Sequence, residues 1–198
     1  MNNLPQKKDN RVALISQKFP TIADFALSLA PHEVTKRFLA IKSIEQAMKS
    51  KIAKLTEIAE AYGKESAYSY IEAWVIKLND YVNKNPQMSM NTEQVEETAM
   101  FLYQEACFLN LAELSLFFRR VKSGYFGELP GYLDGVRIMS YMRLFLTERS
   151  AAWMKAQRQE EGRIKAESFE KMKAIQAGMP EEVKKKLQKK FESTQNWK

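Results

Sequence analysis

Apolar side chains along this chain return every three or four positions in nearly every segment, and no run of β-branched residues alternates strictly over a useful length. Side chains three and four apart share one face of a helix, whereas a strand needs a period of two, so the pattern restricts the fold to packed helices. Val34, Phe38, Ile41, Ile44, Met48, Ile52, Leu55 and Ile58 mark one such face and predict a long helix over 32–62, closed by Gly63 as a C-cap. Tyr68, Ile71, Val75, Leu78 and Val82 mark the next, over about 65–83, and the two make a helical hairpin. Only seven Gly and six Pro occur in 198 residues, too little turn chemistry for an all-β protein. The expected fold class is all-α, a compact helical bundle with a long charged C-terminal helical arm. A short hairpin of strands inside 124–133 is the one β element left open.

Helix starts are readable from side chains that accept the first free backbone N–H groups. Thr21 with Asp24, Asn91 or Thr92 before an acidic first turn, Asn110 with Glu113, and Asp134 all fit, while Pro31 and Pro180 suit first-turn positions. From Arg149 onward the apolar face thins to Trp153, Met154, Ile164, Phe169, Met172 and Ile175. A charged helix without a dense apolar face has little to hold it to a core. The expected organisation is therefore a flexible basic lead-in over 1–20, a helical core over 21–150 and a charged arm over 151–198. No internal repeat is visible.

Composition closes several function classes. One Cys and one His supply neither an internal disulfide nor the ligands of a common zinc site. No phosphate-binding glycine loop and no helical zinc motif occurs. Glu96-Glu97 and Glu160-Glu161 are adjacent pairs that diverge on a helix, His32 follows Pro31 near a helix start, and Cys107 reads as a structural thiol. The expectation is a protein that is not an enzyme and takes no cofactor. No apolar run suits a signal peptide or a membrane span, so the expected location is cytoplasmic, without membrane contact.

The formal charge is +7 and it is unevenly spread. Residues 21–114 sum to −4, residues 115–154 to +3 and residues 155–198 to +5. A local basic field of this kind concentrates polyanions. Two clusters carry it. Arg119, Arg120 and Lys122 precede the corner GYFGELPGYLDG at 124–135, and Arg137 and Arg143 follow it. Arginine forks and a helix N-terminus suit phosphate, and Tyr125, Phe126 and Tyr132 suit stacking on bases. The competing reading is structural: glycines permit a corner, aromatics pin it, and the arginines pair with Glu128, Asp134 and Glu148. The second cluster is Lys184, Lys185, Lys186, Lys189 and Lys190, a grip for a phosphate backbone or a solubilising terminal helix.

The run FFRRVKSGYFGELPGYLDGVRIMSYMRLFLTER resembles a stretch in small, poorly characterised proteins of bacteriophage and Bacteroidota mobile elements. The similarity spans residues 111–149 and lies in Gly124, Phe126, Gly127, Gly131, Asp134, Arg143, Glu148 and Arg149. It implies a replication-associated role such as helicase loading or replisome adaptation. A helix-turn-helix reading of 93–122 fails on its residues. Leu111, Ala112, Glu113 and Leu114 occupy the end that must face the major groove, and the arginines sit at the other end. The expected function is a non-catalytic nucleic-acid-associated accessory protein touching the phosphate backbone of DNA or RNA, with a replication protein or a second copy of the chain as further partners. The alternative is a helical protein–protein adaptor with no nucleic-acid contact, its acidic hairpin on one partner and its arm on another.

Overall fold

The computed structural model describes residues 10–83, 85, 87, 89–127, 132–178, 180, 182, 183 and 185. Among them lie nine helices and no strand: α1 (Asn10–Lys18), α2 (Ile22–Ser28), α3 (Pro31–Arg37), α4 (Ile44–Met48), α5 (Leu55–Tyr62), α6 (Lys64–Val82), α7 (Thr92–Ala106), α8 (Leu111–Lys122) and α9 (Gly135–Ala177). Four of the starts are reciprocal caps. Thr21, Ser43, Asn91 and Asn110 accept backbone N–H bonds from residues up to three further on, and Asp24, Gln46, Gln94 and Glu113 bond back to the cap N–H. The pair Ser43 and Gln46 follows the same rule as the other three, although the long helical period masks it.

The expected single helix over 32–62 is in fact α3, α4 and α5. Its two breaks are stabilised from α8, far along the chain. Arg119 donates to the carbonyls of Leu39 and Ile41, Asn110 Nδ2 donates to the carbonyl of Ala47, and the Leu111 N–H donates to the carbonyl of Ala53. Carbonyls freed at a helix end need partners when water is excluded, and here α8 provides them. The expected flexible lead-in over 1–20 is likewise corrected for residues 10–18. They form α1, whose Ile15 packs on the core beside Phe19 and whose Arg11 bonds Glu57 at 3.3 Å. Tyr62 donates to the carbonyl of Phe19 at 2.5 Å and Tyr70 to that of Leu29 at 2.6 Å, fixing the α1–α2 and α2–α3 connections.

α8 is the centre of the core. Every residue from Leu111 to Phe118 is buried, and so is Val121. Phe118 stacks on Trp74 of α6 and Phe117 meets Phe145 of α9 edge-on. Two buried asparagines at the end of α6 hold the loops beside it. Asn79 bonds the backbone of Met90 through both amide atoms, and Asn83 does the same with Leu133. Asn83 also donates to Asn79 at 2.6 Å.

The chain forms two compact units, Met1–Ala152 and Trp153–Lys198. In the second, the described residues are exposed wherever their side chains are described. Arg163 pairs with Glu160 and Glu167, and Lys173 with Glu170, the spacing that supports a solvated helix. The short helix expected after Pro180 lies largely outside the described residues. No helix among those described is long and apolar enough to cross a membrane.

Candidate anion-binding face

Four of the five cations flanking the glycine corner, Arg119, Arg120, Lys122 and Arg143, meet partners inside the fold. Arg119 is the staple on Leu39 and Ile41 just described, and burial followed by the charge of Arg120 lowers its pKa. Arg120 pairs with Glu148 at 2.8 Å and lies 4.2 Å over the ring of Tyr125, whose hydroxyl donates to the same carboxylate at 3.3 Å. Lys122 is half-buried with its ammonium 5.2 Å over the Tyr81 ring. Burial first, then the charge of Lys77, lowers its pKa against the opposing pull of Asp80. Arg143 is held by both oxygens of Glu105. Arg137 is half-buried and its backbone N–H donates to Asp134 at 2.8 Å. The structure therefore does not gather Arg119, Arg120, Lys122, Arg137 and Arg143 into one open patch. Carboxylates and carbonyls elsewhere in the fold set the directions of Arg119, Arg120 and Arg143, and the Tyr81 ring that of Lys122, which spacing along α8 and α9 does not reveal.

The aromatics of the corner behave in the same way. Phe126 stacks on Tyr141 at 5.5 Å and meets Phe117, and Tyr125 is tied to Arg120 and Glu148. Gly124 and Gly127 hold φ of 71° and 127°, the backbone region that favours glycine. Glu128 and Gly131 lie outside the described residues, as do Lys184, Lys186, Lys189 and Lys190; Lys185 is exposed. The buried start of α8 also removes any helix-turn-helix presentation, since Leu111, Ala112, Glu113 and Leu114 face the core.

A different set of cations does converge. α1, Phe19, the end of α3 and residues 50–53 surround a hollow of about 560 Å³. Its walls are Leu14, Ile15, Phe19, Phe25, Phe38 and Ile52, and Arg11, Lys18, Arg37 and Lys51 stand among them. A second hollow of about 570 Å³ shares Lys18, Phe19, Leu29 and Arg37 and adds Lys36. Arg11 is paired with Glu57, and Lys36 with Glu33, whose carboxyl is held below its usual range mainly by the Lys36 hydrogen bond and charge. Lys18, Arg37 and Lys51 are exposed and have no carboxylate partner among the described residues. Lys18 lies 5.3 Å over the ring of Phe19. Cations without a carboxylate partner beside apolar walls suit an amphipathic anion: charge at the rim, flat or apolar groups against the side chains.

Sequence reasoning missed this face because its parts are far apart in the chain and lie in stretches read as a lead-in and as an acidic half. One signal was present. Arg11, Leu14, Ile15 and Lys18 follow helical spacing, the mark of an amphipathic helix with cations on its flank. Among the described residues no three His, Cys, Asp or Glu side chains are placed to hold a metal ion. No family model, curated protein or solved structure matches the chain.

Proposed function

We propose that this chain is a non-catalytic nucleic-acid-associated accessory protein that contacts phosphate without strong sequence specificity, and that it does so through the α1–α3 hollow rather than the glycine corner. The observation that carries the reading is the convergence of Lys18, Arg37 and Lys51, each without a carboxylate partner among the described residues, on walls that include Phe19 and Phe38. Phosphates meet the cations and bases or sugars meet the apolar walls, an arrangement that binds the backbone and leaves base edges unread. The resemblance of residues 111–149 to mobile-element proteins supplies the replication context. In this reading the residues of that stretch build the scaffold that holds the hollow.

The test is fluorescence anisotropy with labelled single-stranded and duplex oligonucleotides across a salt series. Reversing Lys18, Arg37 and Lys51 to Glu is expected to weaken binding more than about tenfold and to flatten the salt slope by about 2, since each phosphate neutralised by the protein adds roughly 0.7–0.9 to that slope. Arg143→Met, whose guanidinium is already on Glu105, is expected to leave both unchanged. Absence of binding to either nucleic acid at low salt, or an unaltered slope in the triple variant, overturns the proposal.

A further inference from the structure

We infer that a second face of the same unit, the groove between α7 and the start of α9, docks a cationic amphipathic helix of a protein partner. The groove follows from one small residue. A Cβ at Gly135 would run into Thr98 Oγ1, so the two helices approach closely there. Beside that crossing lies a hollow of about 520 Å³ lined by a regular face of α7, from Gln94 through Phe101 to Glu105, and by Val136, Met139 and Arg143 of α9. Val136 is 82% exposed and Phe101 51%, although both are large apolar side chains lining the groove. From Gln94 to Glu105 the groove runs about three helical turns, roughly 16 Å, the length over which apolar anchors at i, i+3 or i+4, and i+7 of a docked helix make contact.

Charge selects the occupant. α7 carries Glu93, Glu96, Glu97 and Glu105 and no Lys or Arg. Arg143 at the groove is already held by Glu105, and Asp134 caps α9 by accepting the Arg137 N–H. Glu97 on the rim, and Glu93 one turn before it, keep no cation partner among the described residues. Nucleic acid, an anionic membrane and an acidic helix are all repelled by such a rim. A helix with apolar residues on one side and Lys or Arg on its flanks satisfies both Phe101 with Val136 and the free carboxylates. This surface is independent of the α1–α3 hollow, shares no lining residue with it, and has the opposite charge preference.

The experiment titrates the full chain with a labelled helical peptide of Leu and Lys, and with the same peptide carrying Glu for Lys. The Lys peptide is expected to bind at least about tenfold tighter than the Glu peptide, and Phe101→Ser with Val136→Ser to weaken it about tenfold, as removal of apolar anchors at a groove centre does. Glu97→Lys is expected to weaken it severalfold through the rim. Both changed apolar side chains are exposed, and far-UV circular dichroism with a urea midpoint confirms the fold; Glu97→Gln repeats the rim test with minimal change of shape. Equal binding of the two peptides, or full affinity in the Phe101 and Val136 variant, overturns the inference. So does concentration-dependent self-association in sedimentation that Val136→Ser abolishes, because the face is then an interface between copies.

Discussion

A cation in this molecule serves the fold or remains available according to whether an oxygen on another helix reaches it. Arg119 and Arg120 are neighbours in sequence, yet one closes the α3–α4 connection and the other joins α8 to α9. Burial and Lys77 oppose the charge of Lys122 against the pull of Asp80. A lysine whose folded pKa lies below the ordinary 10.5 leaves the unfolded chain binding more protons between the two values, so stability rises with pH across that window and the charged form costs stability below it. Lys122→Met keeps the stem against Tyr81 and removes that charge. It is expected to raise the urea midpoint at neutral pH, and the gain is expected to shrink as pH approaches 10.5; a gain independent of pH would contradict the account. Half-buried Tyr62 and buried Tyr70 pull the other way as pH rises, because desolvation raises both, so the comparison with wild type at each pH isolates Lys122. Sequence spacing identifies Arg119, Arg120 and Lys122 as a group. It does not show their partners, which lie 80 residues away for Arg119 and 28 for Arg120.

At the scale of elements, the starts of α5 and α8 meet head to head. Lys54 and Asn110 form an antiparallel bridge, the N–H groups of Leu55 and Leu111 cross to the carbonyls of Leu109 and Ala53, and two positive helix ends are thereby brought together. Each end holds a buried glutamate three residues after its cap, Glu57 and Glu113, and each glutamate has its own arginine from elsewhere, Arg11 and Arg149. Glu113 is almost wholly buried and its bond to Arg149 is 2.7 Å. Removing one partner of such a pair strands the other charge, so Arg149→Met is expected to cost about 3 kcal/mol in urea unfolding. Arg143→Met, on the exposed pair with Glu105, is expected to leave the midpoint unchanged within error. Equal effects would mean that α5 and α8 do not depend on their buried carboxylates. Most helix starts are legible in the sequence because a cap is a local bond, as at Thr21, Asn91 and Asn110. The breaks at Phe38 and Lys49 are not, since the apolar period runs straight through them and bonds from the start and end of α8 add to the local Ser43–Gln46 cap in holding them.

For the whole molecule, charge and burial divide at the same place. Every buried residue among those described lies at or before Ala152, while residues 153–198 carry a formal sum of +5 out of +7. Total charge therefore points to the C-terminal unit as the polyanion contact, whereas side-chain geometry points to the α1–α3 hollow in the first unit. A chain ending at Ala152 separates the two. It keeps every buried residue described above, so its urea midpoint and slope are expected to match those of the full chain, the slope following the surface exposed on unfolding. With the hollow as the main contact, oligonucleotide affinity at moderate salt falls by no more than about threefold, and the remaining binding is still abolished by reversing Lys18, Arg37 and Lys51; the change in salt slope counts the phosphates that residues 153–198 neutralise. Disappearance of all measurable binding in a shortened chain that unfolds normally would transfer the contact to the basic residues of 153–198 and leave the hollow without a nucleic-acid role.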